Sequence, residues 1–299
     1  MNFEHLKVFY TAANKKNFSE TAKILHLSQP SVSSQIRQLE ESLNVSLFRR
    51  TTKKVSLTAE GKLLYQYAGK ILELVNQTKK EIDLLSQSVH GELIIGASLT
   101  TGEYFLPYFL GQYKQEYPHV DLTMKIYNSE QIIEKLENEE INVGFIESMI
   151  SYSHLHQEAI MDDELVMVAS KQWFDSSFDE EETITPEELF SLPIIMREQG
   201  SGTRQVVEEN LRRNDLNPSK LNIILELEST ESIKSAVESG MGISIISKSA
   251  VQKEMKLGIL KALRIKGIRL KRYFYAVYND QNLSLPSESF VSFIKENTK

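Results

Sequence analysis

The chain has 299 residues, a formal net charge of −7 and no cysteine. A chain of this length is longer than one small domain, so we expect two or more domains. The absence of cysteine excludes disulfide bonds, thiolate nucleophiles and Cys-ligated metal sites. The sequence contains no signal-peptide region and no apolar stretch of membrane-spanning length, which predicts a cytoplasmic protein without a membrane partner.

The charge is distributed unevenly along the chain. Residues 1–58 contain nine Lys or Arg and four Glu, a net charge of +5, which leaves −12 for the remainder. A basic segment joined to an acidic body is typical of a nucleic-acid-binding domain attached to a domain that does not contact nucleic acid.

The amino-terminal segment is predicted to be helical. Residues 2–14 form a first helix, and residues 17–43 form two short helices joined by a polar turn. Ser19 and Ser28 are the expected N-caps of these two helices, and Pro30 lies in the first turn of the second, where its missing N–H does no harm.

The second of the two short helices has two different faces. Spacings of four, three and four residues place on its apolar face Val32, Ile36, Leu39 and Leu43. The opposite face carries small polar residues and Arg37, as a helix that enters a DNA major groove requires. An ordinary amphipathic surface helix would show the same periodicity, and this remains the alternative.

A basic stretch follows this helix, because four of the six residues from Arg49 to Lys54 are Lys or Arg. It predicts a hairpin wing over 48–58 that follows the DNA phosphates beside the second helix. The residues expected to contact DNA are Ser28, Gln29, Pro30, Ser31, Ser33, Ser34, Arg37, Arg49, Arg50, Thr51, Lys53 and Lys54.

A long helix without proline is predicted from Ala59 to about Ser88, and a hinge follows at 88–91. Two copies of such a helix would bury a shared seam and set the spacing of two DNA-binding heads. The heptad positions of this seam are Leu64, Tyr67, Ile71, Leu74, Thr78 and Leu85.

The first sixty or so residues resemble the winged helix-turn-helix of LysR-type transcriptional regulators. The resemblance rests on N-F-E-H-L-K-V-F-Y, F-S-E-T-A-K-I-L-H-L-S-Q-P-S-V-S-S-Q-I-R-Q-L-E, L-F-R-R-T and L-T-A-E-G, which follow one another in this order. It implies that the partners are double-stranded promoter DNA and further copies of this chain, as a homodimer or a homotetramer built as a dimer of dimers. RNA polymerase is a further possible partner of such a regulator.

From Gly91 onward, predicted strands and helices alternate, which indicates βαβ units and mainly parallel sheets. The order of these elements resembles the two-lobed, periplasmic-binding-protein-like effector domain of the same family, with crossing strands near 159–164 and 266–273. The sequence therefore predicts an α+β multidomain chain. Its parts are a winged helix-turn-helix at 1–58, a dimerisation helix and hinge at 59–90, and an effector domain at 91–299 (lobe one 91–161 plus 270–299, lobe two 162–268).

Two loops at strand ends carry most of the candidate ligand-binding groups. The first holds three hydroxyls and a glycine before a helix predicted over 103–117, and the second runs R-E-Q-G-S-G-T-R from Arg197 to Arg204. Backbone N–H groups, hydroxyls and a helix amino terminus together favour an anion. The residues expected to bind the effector are Ser98, Thr100, Thr101, Asn128, Glu147, Arg197, Gln199, Ser201, Gly202, Thr203 and Thr230.

Simpler roles remain open for these residues. Hydroxyls at a helix start also serve as caps, and Arg197 or Arg204 equally suits a structural ion pair. Glu147 is unusual in an anion site, and pairs either an amine of the ligand or Ser148. The second loop resembles that of the sulfur-assimilation and carbon-fixation branches of the family, which implies a small anionic effector such as a sulfur or phosphorylated metabolite.

No catalytic motif occurs in the sequence. The six histidines are scattered, and H-E-x-x-H, G-x-S-x-G and paired-carboxylate patterns are absent. We therefore expect no enzyme and no cofactor besides the effector. The alternative function is a cytoplasmic α/β ligand-binding or catalytic protein whose amino-terminal helices only mediate association.

Overall fold

The computed structural model describes residues 2–51, 54–85, 89–149, 152, 154–173, 183–280 and 283–298. They divide into two compact units, residues 1–88 with 138–140 and residues 89–137 with 141–299. Each unit has its own hydrophobic core. Within the described ranges, no helix is both long enough and apolar enough to cross a bilayer.

The first unit is built from helices and one hairpin, in the order α1 (Phe3–Lys15), α2 (Phe18–Ile24), α3 (Gln29–Leu43), β1 (Phe48–Thr51), β2 (Lys54–Leu57) and α4 (Ala59–Leu85). Its core contains the fully buried side chains Leu6, Phe9, Val32, Ile36 and Leu39. Three of the four residues predicted for the apolar face of α3 are therefore buried. Leu43, the fourth, is exposed because it lies in the last turn of the helix, beyond the core.

Side-chain caps fix the start of α2 and of α3. The Asn17 Oδ1 accepts hydrogen bonds from the N–H groups of Ser19 and Glu20, at 2.9 and 3.2 Å, so the prediction of Ser19 as the N-cap is wrong. One carbonyl oxygen can satisfy two orphan N–H groups because it has two lone pairs. Ser28 caps α3 by accepting from the N–H of Ser31 at 3.2 Å, as predicted.

The hairpin is attached to α3 by one carboxylate. Glu40 Oε1 accepts the N–H of Leu47 at 2.7 Å and the N–H of Phe48 at 3.2 Å. β1 and β2 then pair antiparallel, with Thr51 opposite Lys54. The intervening residues, 52 and 53, lie outside the described part of the chain.

The long helix α4 is held against the hairpin at its first turn. Thr58 Oγ1 accepts the N–H of Gly61 at 2.9 Å and donates to the carbonyl of Ser46 at 2.7 Å. A Cβ atom added to Gly61 would lie 2.1 Å from the carbonyl oxygen of Leu47. Gly61 is therefore a point of close backbone approach, and the helix packs directly on the start of the hairpin.

One side of α4 packs on the core of the first unit and another is exposed. Leu64 and Ile71, predicted for the shared seam, are half-buried against this core, so part of each side chain packs within the unit, and the seam between two copies stays a prediction. The side chain of Leu85 lies outside the described part. The large apolar residues that α4 exposes, which we name the α4 stripe, are Leu63, Tyr67, Leu74 and Ile82.

The second unit contains strands and helices in the order β3 (Gly91–Ala97), α5 (Leu106–Glu116), β4 (Val120–Ile126), α6 (Ser129–Glu137), β5 (Val143–Ile146), β6 (His156–Ser170), β7 (Thr183–Ile184), α7 (Pro186–Ser191), β8 (Ile194–Arg197), α8 (Gly202–Arg213), β9 (Ile223–Leu227), α9 (Thr230–Glu238), β10 (Ser244–Ser247), α10 (Lys248–Lys256), β11 (Leu260–Ile265), β12 (Lys271–Tyr278) and α11 (Leu285–Asn297). The strands and helices predicted from the sequence include no counterpart of β7, α7, β11 or α11. The helix predicted over 103–117 begins as a π-helical turn over Thr101–Phe105, because Pro107 lacks the N–H that would continue an α-helical ladder.

Strand β6 is shared by two lobes. The large sheet has the order β4-β3-β5-β12-β6-β11-β7, with β10 also paired to β6, and β8 and β9 form a separate parallel pair. Residues 156–164 of β6 pair with β12, whereas residues 165–170 pair with β10 and β11. Lobe one therefore comprises β3–β5, α5, α6 and α11, and lobe two comprises β8–β11 and α8–α10. Strand β6 runs through both lobes, and β12 pairs with the half of β6 that lies in lobe one.

An ion pair lies between the two shared strands. Arg272 on β12 faces Asp163 on β6, and its Nε donates to Asp163 Oδ2 at 2.6 Å. The other carboxylate oxygen accepts a hydrogen bond from Ser247 Oγ at 2.8 Å. The two side chains are only 1% and 5% exposed, so this charge pair is almost completely removed from solvent.

Replacing Gly61 by Ala should destabilise the first unit by about 2 kcal/mol, because the new methyl group would collide with a carbonyl oxygen that cannot move alone. Gly69 is the matched control in the same helix. A Cβ there meets only the ring of Tyr10, at 3.3 Å. Gly69→Ala should therefore leave stability unchanged or raise it by up to about 1 kcal/mol through helix propensity. Differential scanning calorimetry of the full-length variants measures both effects, and equal melting temperatures would contradict the close approach.

Replacing Asp163 by Asn should lower the stability of the second unit by about 3 kcal/mol, because Arg272 would remain charged and buried without a counter-ion. Glu164→Gln is the control one residue along β6. Glu164 pairs with Lys248 at 3.0 Å, but both side chains are about half exposed. Its replacement should cost less than about 1 kcal/mol. Chemical denaturation measures both values. An equal loss of unfolding free energy in the two variants would mean that the buried pair contributes no more to stability than the exposed one.

Candidate functional site

The first candidate surface is the solvent-facing side of α3 with the hairpin. Ser28, Gln29, Pro30, Ser34, Arg37 and Arg49 are exposed, whereas Ser31 and Ser33 are half-buried. Gln29 Nε2 donates to Ser33 Oγ at 3.2 Å, whereas the exposed Ser34 and Arg37 make no hydrogen bond to another described side chain. Arg50, Thr51 and Lys54 lie in the hairpin strands with side chains outside the described part, and Lys53 lies outside it altogether.

This surface has free positive charge. Among the residues that the structure describes, neither Arg37 nor Arg49 has an acidic partner, although each is exposed. A guanidinium without an internal partner is available to a phosphate or to a base edge. The arrangement suits a duplex whose major groove receives α3 and whose backbone passes the hairpin.

The second candidate site lies at the strand ends where the two lobes meet. Loops after β3, β4 and β5 come from lobe one, and loops after β8 and β9 come from lobe two. The carboxyl ends of strands and the amino ends of helices are where α/β folds bind ligands. The effector-binding residues that the sequence predicts lie in these loops or at the first residues of the following helices, except Arg197, which is the last residue of β8.

The three hydroxyls after β3 have different roles. Ser98 Oγ and Thr101 Oγ1 are 2.9 Å apart, and Thr101 Oγ1 also lies 3.1 Å from the carbonyl oxygen of Phe145. Both hydroxyls are buried and hydrogen-bonded within lobe one, which fits the simpler structural role that the sequence leaves open for them. Thr100 differs, because its Oγ1 is directed to lobe-spanning Arg272, with Nη2 at 3.5 Å.

The loop after β8 holds its two arginines in internal ion pairs. Arg197 binds its neighbour Glu198 with two hydrogen bonds, of 2.8 and 3.0 Å. Arg204 pairs with Glu208 at 3.0 Å and Glu226 at 2.8 Å. Both arginines therefore have structural partners, while Gln199 stays exposed.

Arg272 connects hydroxyls from the two lobes. Its Nη1 donates to Thr203 Oγ1, in the first turn of α8, at 2.9 Å, while Nη2 faces Thr100. Arg272 is not among the residues that the sequence predicts to bind the effector. The signal for Arg272 in the sequence is its position two residues before Phe274. Alternate residues of this strand are buried, so Arg272 lies on the same buried face as Phe274.

The acidic group after β5 also reaches across the cleft. Glu147 is 2% exposed, and its Oε2 accepts a hydrogen bond from Ser129 Oγ at 3.3 Å. A Cβ atom added to Gly202, the first residue of α8, would lie 2.7 Å from this Oε2 and 3.4 Å from Ser148 Oγ. The lobe-one carboxylate therefore contacts the amino end of a lobe-two helix.

A neighbouring loop contact closes the same region. Gly200 has a φ of +83°, and a Cβ there would lie 2.8 Å from Glu130 Oε2 and 3.2 Å from Asn128 Nδ2. The N–H of Glu130 also donates to the carbonyl of Gly200 at 3.4 Å. The loops after β4 and β8 are thus in direct contact, and a glycine is required for both conformation and space.

A third contact between the lobes is a hydrogen bond to a carboxylate. Tyr104 donates a hydrogen bond to Glu231, which also pairs with Lys234 at 2.7 Å. Burial acts to raise the pKa of Glu231, but the hydrogen bonds from Lys234 and Tyr104 outweigh it and hold the pKa below its usual value. Burial, and then the nearby Glu231 carboxylate, raise the pKa of Glu103. Thr230, the first residue of α9, is buried and directly precedes Glu231 in the sequence.

The chemistry of the cleft is that of binding. It contains hydroxyls, first-turn N–H groups and the buried guanidinium of Arg272, which are donors suited to anionic oxygens. In the described ranges no three His, Asp or Glu side chains are grouped as a metal ion would need. The cleft residues absent from the predicted effector site are Arg272, Ser129 and Ser148.

Two family models match the chain. Residues 3–62 match the model described as "Bacterial regulatory helix-turn-helix protein, lysR family", and residues 86–299 match that described as "LysR substrate binding domain". The two matches follow each other in the same order as the two candidate sites.

Related proteins are similar over nearly their whole length. The HTH-type transcriptional activator CmpR of Synechocystis is 34% identical over 96% of this chain and 93% of its own length. A probable RuBisCO transcriptional regulator of Phaeodactylum tricornutum is 32% identical over 98% of this chain and 95% of its own length. Both names are those of transcriptional regulators and not of enzymes, which disfavours the alternative function.

Solved structures share the fold. The regulatory domain of Synechocystis CcmR in complex with 2-PG is 30% identical, covers 70% of this chain and 98% of its own, and has a TM-score of 0.62. A full-length OxyR point variant from Pseudomonas aeruginosa covers 100% of this chain and 94% of its own, with 21% identity and a TM-score of 0.66. The carboxy-terminal domain thus has the two-lobed, periplasmic-binding-protein-like fold that its sequence predicts. The chain belongs to the LysR family of transcriptional regulators, with an amino-terminal helix-turn-helix and a carboxy-terminal effector-binding domain.

Proposed function

We propose that this regulator binds a small anionic metabolite between its two lobes, and that the metabolite controls how the protein binds promoter DNA in the cytoplasm. The observation that carries the proposal is Arg272, a buried cation whose two terminal nitrogens face hydroxyls of opposite lobes. An anion that accepts from this guanidinium would contact both lobes at once. Its binding energy would then depend on how the lobes are arranged, which is the condition for a ligand to shift a conformational equilibrium.

The proposed effector site is centred on Arg272, Thr100 and Thr203, with Ser201 and the first-turn N–H groups of α8 beside them. Asn128, Gln199 and Thr230 are its proposed rim, whereas Ser98, Thr101 and Arg197 shape the loops through their internal bonds. The 2-PG complex of the CcmR regulatory domain, at 30% identity, supports an anionic effector. The RuBisCO regulators among the relatives support an effector of carbon metabolism over one of sulfur metabolism.

The proposed DNA contacts divide by role. Ser34 and Arg37 are exposed on α3 and are proposed to read base edges, while Arg49, Arg50, Thr51, Lys53 and Lys54 are proposed to contact phosphates. Ser28, Gln29, Pro30, Ser31 and Ser33 allow close approach of the helix start. CbnR is a protein of the same fold, and its structure in complex with its target DNA supports the proposal that this chain binds DNA.

The protein is proposed to act as a homodimer or as a dimer of dimers. The α4 stripe offers an apolar surface along one helix, and a second copy of the same helix would cover it. Two heads joined in this way would meet half-sites about 34 Å apart, one helical turn of DNA.

Replacing Arg37 by Ala should weaken binding to promoter DNA by about 1–3 kcal/mol, because a bidentate base contact would be lost. Replacing Arg49 by Ala should instead lower the slope of log K against log salt by about 0.9, the contribution of one phosphate contact. Fluorescence anisotropy over a salt series measures both. Arg213→Ala removes the same charge from an exposed position of α8 and should change neither value. Wild-type binding by the Arg37 and Arg49 variants would refute the proposed interface.

Replacing Thr203 or Thr100 by Val should weaken the binding of an anionic ligand about tenfold, because each hydroxyl can hydrogen-bond the bound anion beside Arg272. Isothermal titration with 2-PG, inorganic phosphate and sulfate measures the effect. Thr123→Val, at an exposed position of β4, is the control and should bind as the wild type does. The affinity of all three variants for DNA without ligand should be unchanged. Equal ligand affinities in all variants would remove the two hydroxyls from the site.

A further inference from the structure

Glu147 is a buried carboxylate beside the amino end of α8. Ser129 Oγ donates to it, and its Oε2 lies against Gly202, where α8 begins. The first-turn N–H groups of α8, those of Gly202, Thr203 and Arg204, have no acceptor within the helix. They also form the positive end of the helix dipole of this 12-residue helix. A carboxylate at this point therefore occupies the place that favours an anion.

Two further hydroxyls mark the same place as a site for an acceptor. Ser201, the residue before α8, is 1% exposed, and its Oγ makes no hydrogen bond to any described group and does not cap the helix. Ser148 is 5% exposed and its Oγ is likewise unpartnered among the described residues, although it lies close to the start of α8. Buried hydroxyls without partners cost free energy, and an anion with several oxygen atoms would satisfy both.

The environment of Glu147 distinguishes two roles. If Glu147 held a cationic group of the ligand, its oxygens should face a space lacking donors. Among the described residues, their one hydrogen-bond donor is Ser129 Oγ, and Oε2 lies close to Gly202 at the positive end of the α8 dipole without accepting a first-turn N–H. No Lys or Arg side chain of the described residues pairs with Glu147, so the carboxylate itself takes the part of the anion.

We propose that Glu147 is an internal counter-ligand: its carboxylate occupies the anion position at the amino end of α8, holds the two lobes together without effector, and must be displaced by the effector. This inference rests on the proposed function, because it assumes an anion site in the cleft. It adds a residue that opposes binding. The effector must then supply more hydrogen-bond acceptors than one carboxylate supplies. This requirement favours anions with three or more acceptor oxygens, such as phosphate or sulfate esters, over simple carboxylates.

Removing the charge of Glu147 tests the inference, because like charges at one position repel. Glu147→Gln keeps the shape and a hydrogen bond to Ser129, and should bind inorganic phosphate and 2-PG about tenfold more tightly than the wild type does. Glu147→Ala serves as a second variant in case the amide forms new bonds. Isothermal titration of full-length protein measures the affinities, and circular dichroism melts establish that each variant is folded.

Glu130→Gln is the matched control. Glu130 belongs to the same contact between lobes, but it is exposed and lies against Gly200 rather than against the start of α8. It should bind both anions with wild-type affinity, which separates displacement at α8 from a general change in charge. An equal gain in Glu130→Gln and Glu147→Gln would overturn the inference.

The remaining outcomes distinguish this inference from the proposed function. Binding by the wild type, with equal or weaker binding by both Glu147 variants, overturns the counter-ligand alone, and weaker binding would mean that Glu147 holds a donor group of the ligand. No binding by the wild type or by any variant overturns both proposals. Binding by the Glu147 variants with none by the wild type supports both.

Discussion

The buried ion pair of Arg272 and Asp163 is the interaction on which the effector domain depends. It lies on the two strands that both lobes share, near the point where β6 changes its partners from β12 to β10 and β11. A buried pair contributes little net stability over an apolar pair, but it restricts which arrangements are allowed, since any register that separates the charges leaves one unpaired. The pair thus fixes the guanidinium between the lobes, and the terminal nitrogens are left for Thr100 and Thr203.

Around this fixed centre, the contacts between the lobes are short-range and polar. Tyr104 meets Glu231, the loop after β4 meets Gly200, and Glu147 meets the start of α8. Contacts of this kind exchange with water at small net cost in free energy, unlike an apolar core. The two lobe cores can therefore remain intact while the surfaces between them separate, and a ligand of modest affinity is sufficient to bias the arrangement.

The sequence predicts the elements whose signals are local. The start of α3 follows from Ser28 and the apolar spacing, and the alternation of strands and helices places every candidate loop at a strand end. Predictions fail where another group competes for the same role. Asn17, only two residues earlier, displaces Ser19 as the cap, and Leu64 packs on a core that the heptad pattern does not reveal. Which hydroxyl of the first loop is available depends on Phe145, 44 residues beyond Thr101. Arg272 is found only when its strand is placed between the lobes.

The close approach of Gly61 to Leu47 has a mechanical consequence. Because no flexible segment separates α4 from the hairpin, and Glu40 joins the hairpin to α3, these elements form one rigid arm. At about 1.5 Å per residue, the 27 residues of α4 give this arm a length of about 40 Å. A tilt of about 5° at one end of such an arm displaces the other by about 3.5 Å, roughly the rise of one base pair.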